Sequence, residues 1–142
     1  MQEKHKQQAL RYLNVRMRSE LEMRLYLKKK QISTEEIDEI IQYLYHYKYL
    51  DDESFAESFV RDKLRFHPCG RNKLIYALKE KGINEFIIED VMEKEFTMED
   101  EWKFLMNDYK KCQSKDKTYQ QTMRYLYSKG YSTALLSRLE RY

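Results

Sequence analysis

Cationic side chains recur at one place in the repeating pattern of this chain, and their spacing suits contact with an anionic surface. Arg61, Lys63 and Arg65 close one predicted helix, and Arg71 and Lys73 open the next across the turn His67-Pro68-Cys69-Gly70. Arg16, Arg18 and Arg24 occupy the analogous turn earlier in the chain, and Lys110, Lys111, Lys115 and Lys117 do so later. Cations at the same position in successive units would track a regular anionic partner, either carboxylates of a protein or phosphates of a nucleic acid. The plainer reading is a solvated face that favours solubility.

Other candidate chemistry is sparse. Asp51-Asp52 could pair for acid–base work or a metal, but acids there also cap a helix and complement its dipole. His67 and Cys69 flank Pro68 in a loop, while His5 and His46 have no convergent partners in sequence. Three isolated glycines cannot build a phosphate loop. Cys69 and Cys112 are too few for a disulfide framework and lack metal-ligand spacing, so both read as free thiols. The expectation is a protein with no catalytic residues, cofactor or metal.

The elements that must carry the cations form a repeat of about fifty residues. Lys30-Gln31-Ile32-Ser33, Lys81-Gly82-Ile83-Asn84 and Lys129-Gly130-Tyr131-Ser132 align. Leu27, Leu78 and Leu126 coincide upstream of them, and Ile37, Ile88 and Leu136 downstream. In the first unit, Leu10, Leu13 and Met17 mark a helix over about 3–17. Ser19 with Glu22 and Ser33 with Glu36 have the form of capping boxes that open two more helices. Asp51-Asp52 opens the second unit, Gly82 ends its middle helix in a left-handed turn, and Asn84 caps its last helix. The third begins near Thr97, with a middle helix over about 117–129 and Ser132 as the final cap. The spacing predicts an all-α fold of three tandem three-helix repeats, 1–50, 51–96 and 97–142. Units this small must lean on their neighbours, forming an elongated, curved array with a long surface and no deep pocket.

Charge follows the same register. Residues 11–30, 61–81 and 103–129 each carry seven basic and two acidic side chains, whereas 83–101 hold eight acids and one base. The formal net charge of +3 is low for a dedicated nucleic-acid binder. Charged residues make up 36% of the chain and Gly and Pro are scarce, a helical composition. No apolar run approaches the roughly 20 residues of a membrane span, and the polar start Met1-Gln2-Glu3-Lys4 lacks a signal-peptide core, so a cytoplasmic location is expected. Tyr43, Tyr45, Tyr47 and Tyr49 could stack on bases, but filling unit-to-unit contacts is the preferred reading.

At these residues the sequence resembles the RecX regulatory proteins. The stretch Leu50-Asp51-Asp52-Glu53-Ser54-Phe55-Ala56-Glu57-Ser58-Phe59-Val60-Arg61-Asp62-Lys63 carries the likeness most specifically. It continues through Gly70-Arg71-Asn72-Lys73-Leu74 and Leu78-Lys79-Glu80-Lys81-Gly82-Ile83, with Arg16 to Leu27 matching the first-repeat motif. The similarity runs from about Ala9 to the C-terminus, weakly in the third unit. Gln31 stands where that family commonly has glycine. The resemblance implies three tandem three-helix repeats and binding to the RecA recombinase filament on DNA, a role that a monomer suits. It also implies inhibition of RecA ATP hydrolysis, filament growth and strand exchange, with a place in recombination, DNA repair and the SOS response. Arg61, Lys63, Arg65, Arg71 and Lys73 are the expected central contacts, flanked by Arg16, Arg18, Arg24, Lys110 and Lys111. The alternatives are a direct DNA binder of helix-turn-helix type, which would need no recombinase, and a general helical scaffold. Weak, non-specific DNA affinity would fit either the RecX reading or the first alternative.

Overall fold

A computed structural model describes residues 1–142: nine α-helices and no strand. Helices α1 (Glu3–Val15), α2 (Glu20–Lys29) and α3 (Thr34–His46) enclose one apolar cluster built on Met23, Leu27, Ile40 and Leu44. Helices α4 (Asp52–Phe66), α5 (Arg71–Glu80) and α6 (Glu85–Glu95) enclose a second around Val60, Leu74, Leu78 and Met92. Helices α7 (Met98–Ser114), α8 (Tyr119–Ser128) and α9 (Thr133–Glu140) enclose a third around Leu105, Leu126 and Leu135. Phe104 packs against both the second and third clusters. The accessible surface, 9541 Å², exceeds the roughly 7,900 Å² of a compact monomer of this mass. That excess fits an elongated array.

The helix boundaries rest on caps legible in the sequence. Ser19 accepts from the Glu22 amide while Glu22 accepts from that of Ser19, a complete capping box. Asp51 caps α4 and Asn84 caps α6; Thr97 with Asp100 and Thr118 with Gln121 form two further boxes. Gly82 and Gly130 take left-handed φ values of 76° and 90° after α5 and α8. Gln31 holds the same conformation, φ 61°, after α2, so the first unit turns there without glycine.

Two expected caps differ. Ser33 does accept from the Glu36 amide, but the Glu36 carboxylate turns away to the Gln2 amide and the His5 ring instead of closing a box. Ser132 makes no side-chain cap at all. Its amide and hydroxyl are taken up by Glu101 of α7. The α1 helix also stops at Val15, two residues short of Met17, because the chain turns extended at Arg16.

One device joins the units. Acids near the start of a following unit accept from the first helical amide of the preceding unit's middle helix. Asp52 takes the Glu20 amide at 2.9 Å, and Glu101 takes the Arg71 amide at 2.9 Å. The glycine turns settle on the same helix starts. A Cβ built on Gly82 would lie 2.7 Å from Leu21 Cβ, and one on Gly130 would lie 2.7 Å from the Lys73 nitrogen. Between the second and third units the backbones also bond directly, Gly70 to the Lys129 carbonyl at 2.8 Å and Asn72 to that of Gly130 at 2.9 Å.

Candidate partner-binding surface

The cations that the sequence places in one stripe divide among several faces. Arg61 reaches across to α6 and grips Glu95 with two bonds, at 3.0 and 2.6 Å, with Glu57 at 3.7 Å. The guanidinium in turn holds the Glu95 carboxyl below its ordinary range. Arg71 lies beside α6, along a furrow shared with Glu85 and Glu89. Arg65 is exposed, its guanidinium 5.2 Å from the Phe66 ring.

The first-unit arginines are similarly engaged within the molecule. Arg16 pairs with Glu22 at 2.7 Å, and Arg24 pairs with Glu20 and Asp38, each at 2.8 Å. Arg18 lies 3.8 Å from the centre of the Tyr12 ring, which itself stacks on Tyr26. Burial alone would raise the Glu22 carboxyl. Donation from Arg16, the Ser19 amide and Lys81 of the second unit outweighs it and holds the group down at about 2. Lys110 and Lys111 are exposed on α7, with no carboxylate in ion-pair range.

Lys63 and Lys73 do come together. With Lys129 they line a cleft of about 470 Å³ where α4, α5 and the α8–α9 turn meet; His67, Pro68, Cys69 and Tyr76 are also in its wall. No carboxylate lies in ion-pair range of Lys63 or Lys73, and Lys129 has only Asp108 at 3.8 Å. Three amines converging with so little neutralisation attract an anion more strongly than the same number scattered over a surface. Lys129 was not among the expected contacts; its alignment with Lys30 and Lys81 at the ends of the middle helices was the available signal.

The other chemistry-bearing residues have structural uses. The Asp51 carboxylate accepts from the Glu53 and Ser54 amides while that of Asp52 serves Glu20, so the two act on different helices. Cys69 and Cys112 are buried free thiols. Tyr43 packs on the first core, and the Tyr45 hydroxyl donates to Glu20 of α2 at 2.8 Å. Tyr47 and Tyr49 are exposed. The unit-to-unit role expected of the tyrosines falls instead to Asp52, Lys81 and Gly82. A larger cleft of about 610 Å³ between α1 and the α3–α4 turn sets Arg11, Arg18 and Lys48 near Asp51. No helix is long and apolar enough to cross a membrane.

Comparison with known proteins agrees with the helix grouping. Residues 6–44 match the family model described as RecX, first three-helix domain, and residues 51–92 the one described as RecX, second three-helix domain. The Regulatory protein RecX of Clostridium perfringens (strain 13 / Type A) is 38% identical over 136 residues, covering 90% of this chain and 63% of that protein. That of Bacillus velezensis is 36% identical over 109 residues, covering 77% of this chain and 41% of that protein. The chain thus spans about half the length of the curated relatives it matches. Two solved structures, one described as the crystal structure of regulatory protein RecX and one as that of RecX from Lactobacillus salivarius, share the fold. Each has a TM-score of 0.86 at 24% identity; they cover 98% and 97% of this chain, and 71% and 93% of the other.

Proposed function

Because the chain belongs to the RecX family of regulatory proteins, we propose that it binds the RecA recombinase filament on DNA and restrains it. The observation that carries this reading is the match of two consecutive three-helix domains over residues 6–44 and 51–92. Residues 97–142 act as a third unit of the same kind, joined through Glu101. Contacts distributed over several units gain effective concentration along a periodic filament, so modest individual contacts suffice for tight binding. Binding restrains the recombinase when it favours the conformation that does not turn over ATP or accept duplex DNA.

In this reading Lys63 and Lys73 are the principal contacts of the central unit, and Lys110 and Lys111 are available from the third. Arg61 can contribute only by leaving Glu95 of α6, whereas Arg71 lies beside α6 without an ion pair of its own. The alternative, direct recognition of duplex DNA by a helix-turn-helix, is less well supported. Arg16, Arg24 and Arg61 are paired within the molecule, and α6 presents an acidic face. The protein acts as a monomer in the cytoplasm.

The deciding experiment titrates DNA-dependent ATP hydrolysis by the cognate RecA with this protein. Inhibition at well below one molecule per recombinase protomer is the expected result. Full activity in excess protein, with the chain folded, would overturn the reading.

A further inference from the structure

Three adjoining hollows run along the outer side of α4. The first holds Arg16, Met17, Phe55, Phe59 and Asp62; the second shares Phe59 and Asp62 and adds Lys63, Phe66 and His67. The third shares Lys63 and His67 and is the lysine cleft described above. Because each hollow shares side chains with the next, they form one groove. From Phe55 to His67 it follows roughly 18 Å of helix, at 1.5 Å per residue.

The groove has a chemical direction. Its middle is aromatic: Phe59 is half-buried and Phe66 is 63% exposed, an unusual position for phenylalanine. Its far end is cationic, where Lys63, Lys73 and Lys129 meet around Cys69 and Tyr76 presents a ring that is 64% exposed. Burial pushes the Cys69 thiol up, and Lys73, Lys63 and Lys129 all oppose it.

We infer that this groove docks a short amphipathic segment of a partner protein, with apolar side chains against Phe59 and Phe66 and a carboxylate cluster at Lys63, Lys73 and Lys129. Charge complementarity selects the acidic end and the aromatic floor selects the apolar one. A phosphate chain fits less well. It carries a charge at every nucleotide, and halfway along the groove it would meet Asp62 and the two phenylalanine rings. The inference rests on the reading that this chain regulates by binding another protein, and it names the part of the central unit that does so.

The test uses the full chain with two independent readouts. In the first, a photo-crosslinking phenylalanine analogue replaces Phe66, and the chain is sedimented with RecA filaments, irradiated and mapped by mass spectrometry. In the second, fluorescence anisotropy follows a labelled peptide of roughly 12 residues that alternates leucine and glutamate pairs, long enough as a helix to span the groove. A thymidine oligonucleotide serves as the competing probe. The expected results are a crosslink to an acidic, apolar-containing segment of the recombinase and peptide binding weakened about tenfold by Lys63→Gln with Lys73→Gln. Both substitutions remove the charge and leave a polar side chain one atom shorter, and circular dichroism checks the fold.

Co-sedimentation without a crosslink, or a crosslink to DNA, overturns the groove and leaves the proposed function standing. Peptide binding without co-sedimentation overturns the proposed function and leaves the groove. Binding of the oligonucleotide in preference to the peptide, or of neither, overturns the groove.

Discussion

Arg71 meets Glu101 through its backbone amide, at 2.9 Å, while its side chain runs along the furrow beside α6. The same carboxylate oxygen accepts the Ser132 amide at 3.1 Å. One side chain of α7, 2% exposed, therefore ties the starts of α5 and α9 together. It satisfies orphan donors at two helix N-termini, where a negative charge also complements both dipoles.

Glu101→Ala is expected to destabilise the protein by about 2–3 kcal/mol, the scale for charge-assisted bonds to buried donors. Glu101→Gln keeps an acceptor oxygen and should recover part of that loss. Urea denaturation measures the difference. Hydrogen exchange should show the Arg71 and Ser132 amides losing protection before those of the first unit.

Gly130→Ala puts a Cβ 2.5 Å from that of Lys73 and 2.7 Å from its backbone nitrogen, at a φ of 90°. Overpacking costs roughly 1–3 kcal/mol and a left-handed side chain about 1 more. The joint between α5 and the α8–α9 turn is therefore expected to loosen. Limited proteolysis should cut near residue 97 faster than in the unsubstituted protein; an unchanged cleavage rate would contradict this account of the joint.

Gln31→Gly should have the opposite sign. Gln31 carries a left-handed φ of 61° and is exposed, so glycine removes strain without losing a contact. A gain of roughly 0.5–1 kcal/mol remains after the entropy cost of glycine. Thermal unfolding reads it as a higher Tm.

Glu22 makes stability depend on acid. Its folded value of about 2 lies below the ordinary glutamate value, roughly 4.3 in an unfolded chain. Its contribution is thus fully present above that value and lost as pH falls towards 2. After allowance for solvent screening the amount is about 1–2 kcal/mol. Glu22→Gln should flatten the fall in stability between roughly pH 4.3 and about pH 2, the window bounded by those two values. An equally steep fall in the variant would remove Glu22 from the account.

Lys63→Glu with Lys73→Glu is expected to weaken RecA inhibition by about tenfold or more, and Arg61→Ala by much less. The difference follows from the Glu95 pairing, which leaves Arg61 little free charge to offer. Inhibition constants from ATPase titrations, with circular dichroism as the folding control, decide it. Equal losses would restore Arg61 to the surface.

Much of the fold was legible because cap residues act locally. Ser19, Asp51, Asn84, Thr97 and Gly82 all stand where short-range rules put them. The joints were not legible, since a buried acceptor such as Glu101 looks in sequence like one more acid in a run of eight. Its role appears only when α7 brings it under two helix starts. The cationic surface was half legible for the same reason. Helical spacing places Lys63 and Lys73 near the α4–α5 turn, but Lys129 joins them through tertiary packing from another unit. Conversely, Arg61 reads as a free cation until the docking of α6 supplies Glu95.

The glycine turns amount to an assembly rule for engineering. A residue without a side chain stands wherever a turn presses on a preceding unit's helix start, as Gly82 and Gly130 do, whereas Gln31 holds the equivalent turn of the first unit with its side chain exposed. A designer seating a further repeat against that turn would have to replace Gln31 with glycine, while Glu3 already puts an acid in the first turn of α1. With glutamine left in place, its side chain would stand where the grafted helix must seat.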